Sequence, residues 1–355
     1  MKVLQIINNL GSGGAESMLI NFLNYAKGKA HFDLLLLVDD KSVYNLPEEI
    51  NILTINPKGK RYSFIKLFRL LKLIRKEKYD IVHTHLFPSQ YYPAVIKFLL
   101  PKNTKLVTTE HNTTNNRRRF LITKLIDYLI YSLYNHVVFI SQGVKMQFEK
   151  DFPLLKHKGS VINNGISLEI FKPRTNKRIK DTIKLLMVAS FSKQKDHLTL
   201  IKAFKLLDNK YELSLVGEGE QLNKMKNYVD KLQLSEKVHF LGFQKNIADI
   251  YSQHDIFILS SNWEGFGLVA AEAMASGLPV IASNVDGLNE VVKGAGILFP
   301  PKDYEELASA IGKVAKDEKL YNELANKGLS RAKNYDIKNL VDKTLSLYKH
   351  LSDEY

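Results

Sequence analysis

Short apolar runs alternate with stretches of helical periodicity along almost the whole chain. In the first half, apolar runs that predict buried strands lie at residues 2–7, 32–38, 81–83, 105–109 and 136–140. In the second half, similar runs lie at residues 183–188, 212–216, 238–241, 256–259, 279–282 and 296–299. Strands that alternate with helices in this way predict parallel sheets covered by helices, as in doubly wound α/β proteins.

A polar, proline-containing segment divides this alternation into two halves. Residues 171–180 lack apolar periodicity, so we expect an α/β domain over 1–172, a linker at 173–180 and a second domain over 181–336. The 355 residues are enough for two domains with separate cores. The tail from residue 304 predicts two or three helices. Two Rossmann-like domains that face each other would place a ligand cleft at the carboxyl ends of both sheets.

The strongest chemical signal is the segment 262–274, with the sequence Asn-Trp-Glu-Gly-Phe-Gly-Leu-Val-Ala-Ala-Glu-Ala-Met. It places Glu264 in a glycine-rich loop and Glu272, eight residues later, in the early turns of a helix that begins near Leu268. The amides at the start of such a helix attract an anion such as a diphosphate. Two carboxylates beside that anion suit sugar hydroxyls. The alternative is that Glu264 caps the helix and Glu272 faces solvent.

This segment resembles the E-x7-E motif of the retaining GT-B glycosyltransferases, specifically the glycosyl transferases group 1, or family 4. Four further segments resemble the family in the same order: Asn8 to Glu16 with its glycine loop, Val161 to Ile166, Val216 to Gly219, and Pro279 to Glu290. The resemblance implies the GT-B fold, with two Rossmann-like domains whose parallel sheets face a central cleft. It also implies that a last helix, over residues 337–355, crosses back to the N-terminal, acceptor-binding domain.

The resemblance implies a role for each matching residue of the donor site. Glu272 would bind the ribose hydroxyls of the nucleotide, and Glu264 would contact hydroxyls of the donor sugar. Backbone amides facing the diphosphate or the sugar would come from Phe266, Gly267 and Leu268 of the same segment. From the first domain, Gly13 and Gly14 would let the N-terminal loop approach the diphosphate.

The basic residues that neutralise the leaving diphosphate follow the pattern G-R-x-x-x-x-K in this family. Lys195 matches the family lysine, but Ser190 stands where the family has arginine. Lys193 is close enough in sequence to be a substitute for that arginine. The structural alternative for Lys195 is a solvated residue before a helix.

Three histidines lie at or just past predicted strand ends, where ligands of parallel sheets bind. His111 resembles the family histidine that contacts the 6-hydroxyl region of the donor sugar and helps hold the transition state. A neutral imidazole donates or accepts a hydrogen bond there at small desolvation cost. His83 and His85 are expected to be structural or to lie on the acceptor side.

The resemblance implies transfer of a sugar from a nucleotide-sugar donor to a saccharide or polyprenyl-linked saccharide, with retention of configuration. A UDP-sugar is favoured over a GDP-sugar, and no other cofactor is expected. The absence of a D-x-D pair indicates a reaction without metal. A nucleotide-sugar epimerase and a non-catalytic sugar-nucleotide-binding protein remain alternatives. A dehydrogenase is disfavoured, because residues 11–15 do not match G-x-G-x-x-G. For a glycosidase, Glu264 and Glu272 could imitate the paired carboxylates, but their diphosphate context fits donor binding better.

The chain carries a formal net charge of +14 and has no cysteine. Basic residues recur at helical spacing over 61–78, including Lys66, Arg69, Lys72 and Lys76, and a second basic stretch begins at residue 117. Such stripes fit an anionic membrane surface, or they are a solvated face. No nucleic-acid module accompanies them, so nucleic acid is not expected as a partner. Without a secretory signal or an apolar span, we expect a cytoplasmic protein, with surface glycan synthesis as its setting.

Overall fold

The computed structural model describes residues 1–11, 13–38, 46–55, 64–113, 115–173 and 181–353. The chain forms two compact units. The first comprises Met1–Gly165 together with Ile337–Tyr355, and the second comprises Ile166–Asp336. Most of the predicted linker lies outside the described residues, as do Ser12 of the glycine loop and the start of the 61–78 basic stretch.

The first unit contains a seven-stranded parallel sheet in the order β3-β2-β1-β4-β5-β6-β7. Its strands are β1 (Lys2–Ile7), β2 (His31–Leu36), β3 (Asn51–Thr54), β4 (Ile81–His85), β5 (Lys105–Glu110), β6 (His136–Phe139) and β7 (Gly159–Val161). Five of these strands confirm the predicted apolar runs. The sequence did not reveal β3 and β7, which form the two edges of the sheet. Their residues are largely half-buried, so neither strand carries a continuous apolar run.

The helices of the first unit are α1 (Gly14–Ala26), α2 (Phe64–Glu77), α3 (Tyr91–Val95), α4 (Leu121–Ser132), α5 (Gln142–Asp151) and, from the end of the chain, the last helix, Ile337–Asp353. Single 3-10 turns lie at Lys97–Leu99, Asn116–Arg119 and Pro153–Leu155. Right-handed crossovers put α1 on one face of the sheet and α2 to α5 on the other. The last helix packs against α1.

The second unit contains a six-stranded parallel sheet in the order β10-β9-β8-β11-β12-β13. Its strands are β8 (Ile183–Val188), β9 (Tyr211–Val216), β10 (Val238–Gly242), β11 (Ile256–Leu259), β12 (Val280–Ser283) and β13 (Ile297–Phe299), each at a predicted apolar run. Its helices are α6 (His197–Lys205), α7 (Leu222–Lys231), α8 (Ile247–Ser252), α9 (Leu268–Ala275), α10 (Leu288–Val292), α11 (Tyr304–Lys316) and α12 (Glu318–Ala332). The last helix, Ile337–Asp353, is numbered α13. The tail after residue 303 therefore forms three helices, as predicted. A 3-10 turn, Lys333–Tyr335, ends the unit.

The structure corrects the basic stripe predicted on α2. Lys66 does not face outward. Its side chain is buried, and its ammonium group donates a hydrogen bond to the carbonyl oxygen of Leu37 at 2.7 Å. A lysine can bury its charged end only where carbonyl oxygens replace the lost water. Lys72 and Lys76 are exposed, while Arg69 is exposed and donates to the carbonyl of Ile55. Among the described residues, no helix is long and apolar enough to cross a membrane.

Candidate functional site

Glu264 lies buried in the loop that follows β11 in the second unit. Ser261 donates a hydrogen bond to its Oε1 atom at 2.9 Å, and the ammonium group of Lys195 donates to the same oxygen. Lys195 reaches it from the loop after β8, because β8 and β11 are neighbours in the sheet. The pair is shielded from solvent, which strengthens the attraction between its charges. The structure therefore brings together two residues that are 69 positions apart in the sequence.

Backbone contacts hold these two loops against each other. The amide of Asn262 donates to the carbonyl of Gln194 at 2.7 Å, and its side chain donates to the carbonyl of Lys193 at 2.9 Å. In return, the Gln194 side chain donates to the carbonyl of Trp263 at 2.9 Å. The side chain of Lys193 is exposed. The loop positions of Lys195 and Glu264 are thus fixed by the fold.

The Gly-Phe-Gly turn before α9 depends on glycine. Gly267 caps α9 in the left-handed conformation at φ +88°, and a Cβ atom there would lie 2.6 Å from Leu288 Cδ1. At Gly287, with φ +77°, a Cβ atom would lie 2.5 Å from the carbonyl oxygen of Gly265. The cap of α10 thereby supports the turn that carries Glu264. Both glycines permit an approach that no other residue allows.

Phe266 and Leu268 lie on either side of the Gly267 cap. The ring of Phe266 is buried and packs edge-on against Tyr335, with centroids 5.1 Å apart, so the side chain anchors the turn. Leu268 is the first residue of α9. The first amides of an α-helix have no acceptor within the helix, so this turn presents donors suited to an anion.

Glu272 is half-buried on α9. Tyr251 donates a hydrogen bond from its hydroxyl to Oε2 of Glu272 at 3.0 Å and contacts the carbonyl of Val269 at 3.1 Å. Burial raises the pKa of Glu272 to about 7, because the charged form loses hydration, while the Tyr251 hydrogen bond acts in the opposite direction. Glu272 is therefore held in one orientation and is poised between its two protonation states near neutrality.

Ser190 is exposed at the start of the loop that follows β8, the position at which the family has arginine. The next residue, Phe191, fixes this loop to the β9 turn: its amide donates to the carbonyl of Glu218 at 2.9 Å, and its carbonyl accepts from the amide of Gln221 at 2.9 Å. The V-G-x-G turn thus supports the loop that bears Ser190 and Lys195.

His111 is buried in the first unit, directly after β5. Its Nε2 atom lies 3.4 Å from Nδ1 of His85, and Nε2 of His85 lies 2.9 Å from Oε1 of Gln5. The Gln5 amide donates to the hydroxyl of Tyr348 on α13 at 3.0 Å, and that hydroxyl lies 2.5 Å from Nδ1 of His83. A continuous polar chain therefore connects α13 with His111.

Burial keeps these imidazoles neutral. It lowers the pKa of His83 to about 3 and that of His111 to about 4, and it places the pKa of His85 well below the ordinary value. Because Gln5 Oε1 only accepts, Nε2 of His85 is the donor and its Nδ1 accepts from Nε2 of His111. His111 then has its other nitrogen, Nδ1, as a hydrogen-bond acceptor.

Gly13 and Gly14 of the glycine loop lie at the start of α1. Gly13 caps α1 without a side-chain bond, and Gly14 is the first residue of the helix. The carboxylate of Glu16 occupies the space that a Cβ atom of Gly13 would take, and burial raises the pKa of Glu16. The glycine therefore makes room for an acidic side chain of the same helix.

Several site residues were not identified from the sequence. Tyr251 precedes Glu272 by 21 positions, and no local pattern connects them. Gln5 reads as a polar position in a buried strand, and Tyr348 as an ordinary aromatic of an amphipathic helix. Ser261 carried a usable signal, because it is the second residue after the carboxyl end of β11. Among the described residues, no cluster of three or more His, Asp or Glu side chains is arranged to hold a metal ion.

Two family profiles match adjoining parts of the chain. The profile for glycosyltransferase family 4 matches residues 12–170, and the profile for glycosyl transferases group 1 matches residues 169–331. Together they span both units. The chain belongs to this family of glycosyltransferases and has the GT-B fold, with a parallel-sheet α/β domain in each unit, as the resemblance implied.

Individual relatives agree with this assignment. The chain is 31% identical over 304 residues to the UDP-Gal:alpha-D-GlcNAc-diphosphoundecaprenol alpha-1,3-galactosyltransferase of Escherichia coli, an alignment that covers 79% of this chain and 78% of the relative. It is 27% identical to a 4-alpha-N-acetylgalactosaminyltransferase of Campylobacter jejuni that acts on N-acetylgalactosamine-N,N'-diacetylbacillosaminyl-diphospho-undecaprenol, over 93% of this chain and 94% of that one. The crystal structure of HepE from Anabaena in complex with UDP-glucose matches with a TM-score of 0.83 at 20% identity, over 99% of this chain and 100% of that one. The protein is a glycosyltransferase.

Proposed function

We propose that this glycosyltransferase moves a sugar from a UDP-sugar to a saccharide or polyprenyl-linked saccharide acceptor, with retention of anomeric configuration and without a metal ion. One observation carries the proposal: Lys195 pairs with Glu264 in the loop that leads into α9, and Glu272 lies on the same helix, so one short segment combines a cation, two carboxylates and the first amides of a helix. This set matches the chemistry of a sugar nucleotide, which combines a diphosphate with several hydroxyl groups.

Each group of this set has a chemical part in the proposal. Glu272 accepts hydrogen bonds from the ribose hydroxyls in its ionised form. Glu264 accepts from hydroxyls of the transferred sugar. The amides of Phe266, Gly267 and Leu268 and the ammonium of Lys195 bind the diphosphate, so that negative charge which develops on it as the glycosidic bond breaks is stabilised. A preorganised cation and helix amides supply what a divalent metal supplies elsewhere.

The first unit contributes His111 and the glycine loop at Gly13 and Gly14. In the proposal, the neutral imidazole of His111 accepts a hydrogen bond from a hydroxyl of the donor sugar through Nδ1. This contact strengthens as the sugar acquires positive charge in the transition state, so it assists turnover more than it assists donor binding. Gly13 and Gly14 would let the backbone of their loop approach the diphosphate of the donor.

The proposed acceptor is inferred from the relatives, and the proposed location is inferred from the net charge of the chain. The Escherichia coli and Campylobacter jejuni enzymes are named for sugar acceptors linked to diphosphoundecaprenol. A net charge of +14 would attract this chain to an anionic membrane surface. We infer a cytoplasmic enzyme that works peripherally at the inner face of the cell membrane and builds a surface polysaccharide such as capsule or O-antigen.

A donor screen followed by a transfer assay tests the proposal. Thermal midpoints would be measured with UDP, GDP and a panel of UDP-sugars; a nucleotide at 100 times its dissociation constant stabilises the native state by about 2.7 kcal/mol. The hit would then be incubated with lipid-diphosphate saccharides in EDTA, and the anomeric configuration of the product would be read by NMR.

We expect a larger midpoint shift with a UDP-sugar than with GDP, and transfer in EDTA with retention. Glu272→Gln is the control, and it should reduce the shift. Inversion of configuration, or activity that is lost in EDTA and restored by magnesium, would contradict the mechanism. Conversion of the UDP-sugar without any acceptor would identify an epimerase.

A further inference from the structure

Helix α4 of the first unit presents an apolar face to solvent. Five large apolar side chains lie on one side of the helix at spacings of three and four residues, and all of them are exposed. The exposed fractions are largest at Leu121 with 83%, Ile122 with 75%, Leu125 with 58% and Leu129 with 53%; Ile126 is the fifth. Phe120, the residue before the helix, is 70% exposed. A helix on a globular protein normally turns its apolar side inward.

The inward side of α4 carries a buried ionic cluster beside the core residues Ile130 and Tyr131. Asp127 is buried, and its carboxylate lies 3.1 Å from the guanidinium of Arg117 and 3.5 Å from that of Arg118. Arg118 is also buried and donates to Glu110 at 2.6 Å, and Tyr131 donates to the same carboxylate. These ion pairs fix the rotation of the helix about its axis. The exposure of the apolar face is therefore imposed by buried charges that would have to be broken to reverse it.

The exposed apolar surface continues onto the neighbouring helices. Because α2, α3 and α4 follow one another on the same face of the sheet, and each contacts the next, their outer sides adjoin. We call this surface the apolar ridge; it consists of Ile65, Phe68, Val95, Phe98, Leu99, Phe120, Leu121, Ile122, Leu125, Ile126 and Leu129, all exposed. Exposed large apolar residues that are concentrated on neighbouring helices in this way mark an interaction site on many proteins.

The charges around the ridge have one sign. Across the described residues from 64 to 132, the exposed charged side chains are Arg69, Lys72, Arg75, Lys76, Lys78, Lys102 and Arg119. None of the four acidic residues of this stretch is fully exposed: Glu110 and Asp127 are buried, while Glu77 and Asp80 are partly buried and contact Lys2, Glu77 through an ion pair and Asp80 by accepting from the backbone amide. Two copies of this surface would repel each other. An anionic lipid bilayer complements both its charge and its apolar centre.

We propose that the apolar ridge inserts into the headgroup region of an anionic membrane. Helix α4 would lie flat in this interface, and the surrounding lysines and arginines would contact the lipid headgroups. Phe120 and Leu121 are at the end of α4 nearest the carboxyl edge of the sheet, the edge that also carries His85 and His111. Insertion there would hold this edge close to the bilayer. The inference rests on the proposed function in that docking delivers a lipid-linked acceptor to the enzyme.

Insertion can be measured with a single fluorescent label, because the chain contains no cysteine. Leu125→Cys and, as the control, Leu154→Cys, which is equally apolar and exposed in the same unit but lies outside the ridge, would each be labelled with an environment-sensitive fluorophore. Vesicles of equimolar phosphatidylglycerol and phosphatidylethanolamine should shift the emission of the label at position 125 to the blue, and the shift should persist at high salt. The label at position 154 should not respond.

A paired flotation experiment uses the unlabelled protein. The variant Leu121→Glu/Leu125→Glu/Leu129→Glu should bind these vesicles roughly tenfold or more weakly than wild type, whereas Leu154→Glu should bind normally. Equal flotation of the triple variant and wild type would overturn the proposal. The proposal would also be overturned if wild type formed a dimer in solution and the triple variant were a monomer, because the ridge would then be a subunit interface.

The same variant separates docking from the proposed chemistry. Sugar transfer to an acceptor dispersed in detergent should proceed at the wild-type rate in the triple variant, while transfer to the acceptor embedded in vesicles should fall with flotation. If neither protein transfers sugar in either setting, but the flotation difference holds, then the proposed function fails and the docking surface stands.

Discussion

The ammonium group of Lys195 and the hydroxyl of Ser261 donate to the same carboxylate oxygen of Glu264. The carboxylate is thus neutralised by a lysine that, in the proposed function, must also bind the diphosphate of the donor. A donor that enters the site would compete for this lysine while supplying sugar hydroxyls to Glu264. The two residues are expected to act on the donor as a coupled pair.

We predict that Lys195→Ala lowers the donor affinity by tenfold or more, since a hydrogen bond to a charged group contributes about 1.5–3 kcal/mol. It should also destabilise the second unit, because Glu264 loses a charged partner in a buried site. Calorimetric titration of UDP and a double-mutant cycle with Glu264→Gln would measure the coupling. Lys193→Ala is the matched control; an equal loss in that variant would show that Lys193 takes the place of the family arginine.

The second prediction concerns the pH dependence of Glu272. Burial raises the pKa of this carboxyl group to about 7 from the ordinary value of 4.5, so the unfolded chain releases the proton at lower pH than the folded protein does. This contribution to stability is complete below pH 4.5 and is lost as the pH rises to 7. The variant Glu272→Gln should therefore gain stability relative to wild type on going from pH 5 to pH 8, by up to about 3 kcal/mol.

Donor binding should change in the opposite direction. Ribose hydroxyls donate to the ionised carboxylate, so the affinity of wild type for UDP should rise with pH through about 7, whereas Glu272→Gln should bind weakly and without this dependence. Urea unfolding and calorimetry at both pH values are the measurements. A wild-type affinity for UDP that is flat between pH 5.5 and 8.5 would remove Glu272 from the ribose site.

The third prediction concerns the support of the Glu264 loop by Gly287. A Cβ atom at this position would meet the carbonyl oxygens of Gly265 and Glu264 at 2.5 and 2.7 Å, so Gly287→Ala must displace the loop. We expect a loss of stability of about 3 kcal/mol or more, together with weaker donor binding. The control is Gly242→Ala, with φ +65° and no atom within 4 Å of the added carbon. This variant should lose only the stability of about 1–2 kcal/mol that a non-glycine residue costs in the left-handed conformation, and it should keep its donor affinity.

The fourth prediction concerns His111. Since burial lowers its pKa to about 4, the ring stays neutral above pH 5, and His111 should add no inflection to the pH profile of kcat between pH 5 and 9. His111→Ala should reduce kcat at least tenfold and leave the affinity for UDP nearly unchanged. His157→Ala, which replaces an exposed histidine of the same unit, should have wild-type kinetics. Equal losses in kcat and donor affinity would make His111 a donor-binding residue instead.

Most of the strands that were predicted from the sequence lie inside the two sheets, and the edge strands β10 and β13 were predicted as well. β1, β4, β8 and β11 are almost entirely buried because helices cover the sheets on both faces, so apolar residues predominate in β1, β8 and β11 and begin β4. The edge strand β3 was missed because it is short, only partly buried and without a continuous apolar run. The donor motif was recognised because Glu264, Gly267 and Glu272 lie in one short segment.

Other features depend on distant partners. Tyr251 orients Glu272 from a different helix, and the buried ammonium group of Lys66 donates to the carbonyl of Leu37 from a different element. Helix α4 has the periodicity of an ordinary amphipathic helix. Asp127 and its arginine partners decide which side of the helix faces inward. The periodicity of the sequence alone does not show this orientation.

The composition of the first unit has a consequence for synthesis. Its α13 segment is translated only after the whole of the second unit, yet Tyr348 of that segment completes the buried chain of Gln5 and His83. The second unit is contiguous in sequence and can fold on the ribosome as soon as it has emerged. Until α13 has been translated, the nascent first unit lacks the helix that packs against α1. We therefore expect chaperones to act longest on this part of the protein.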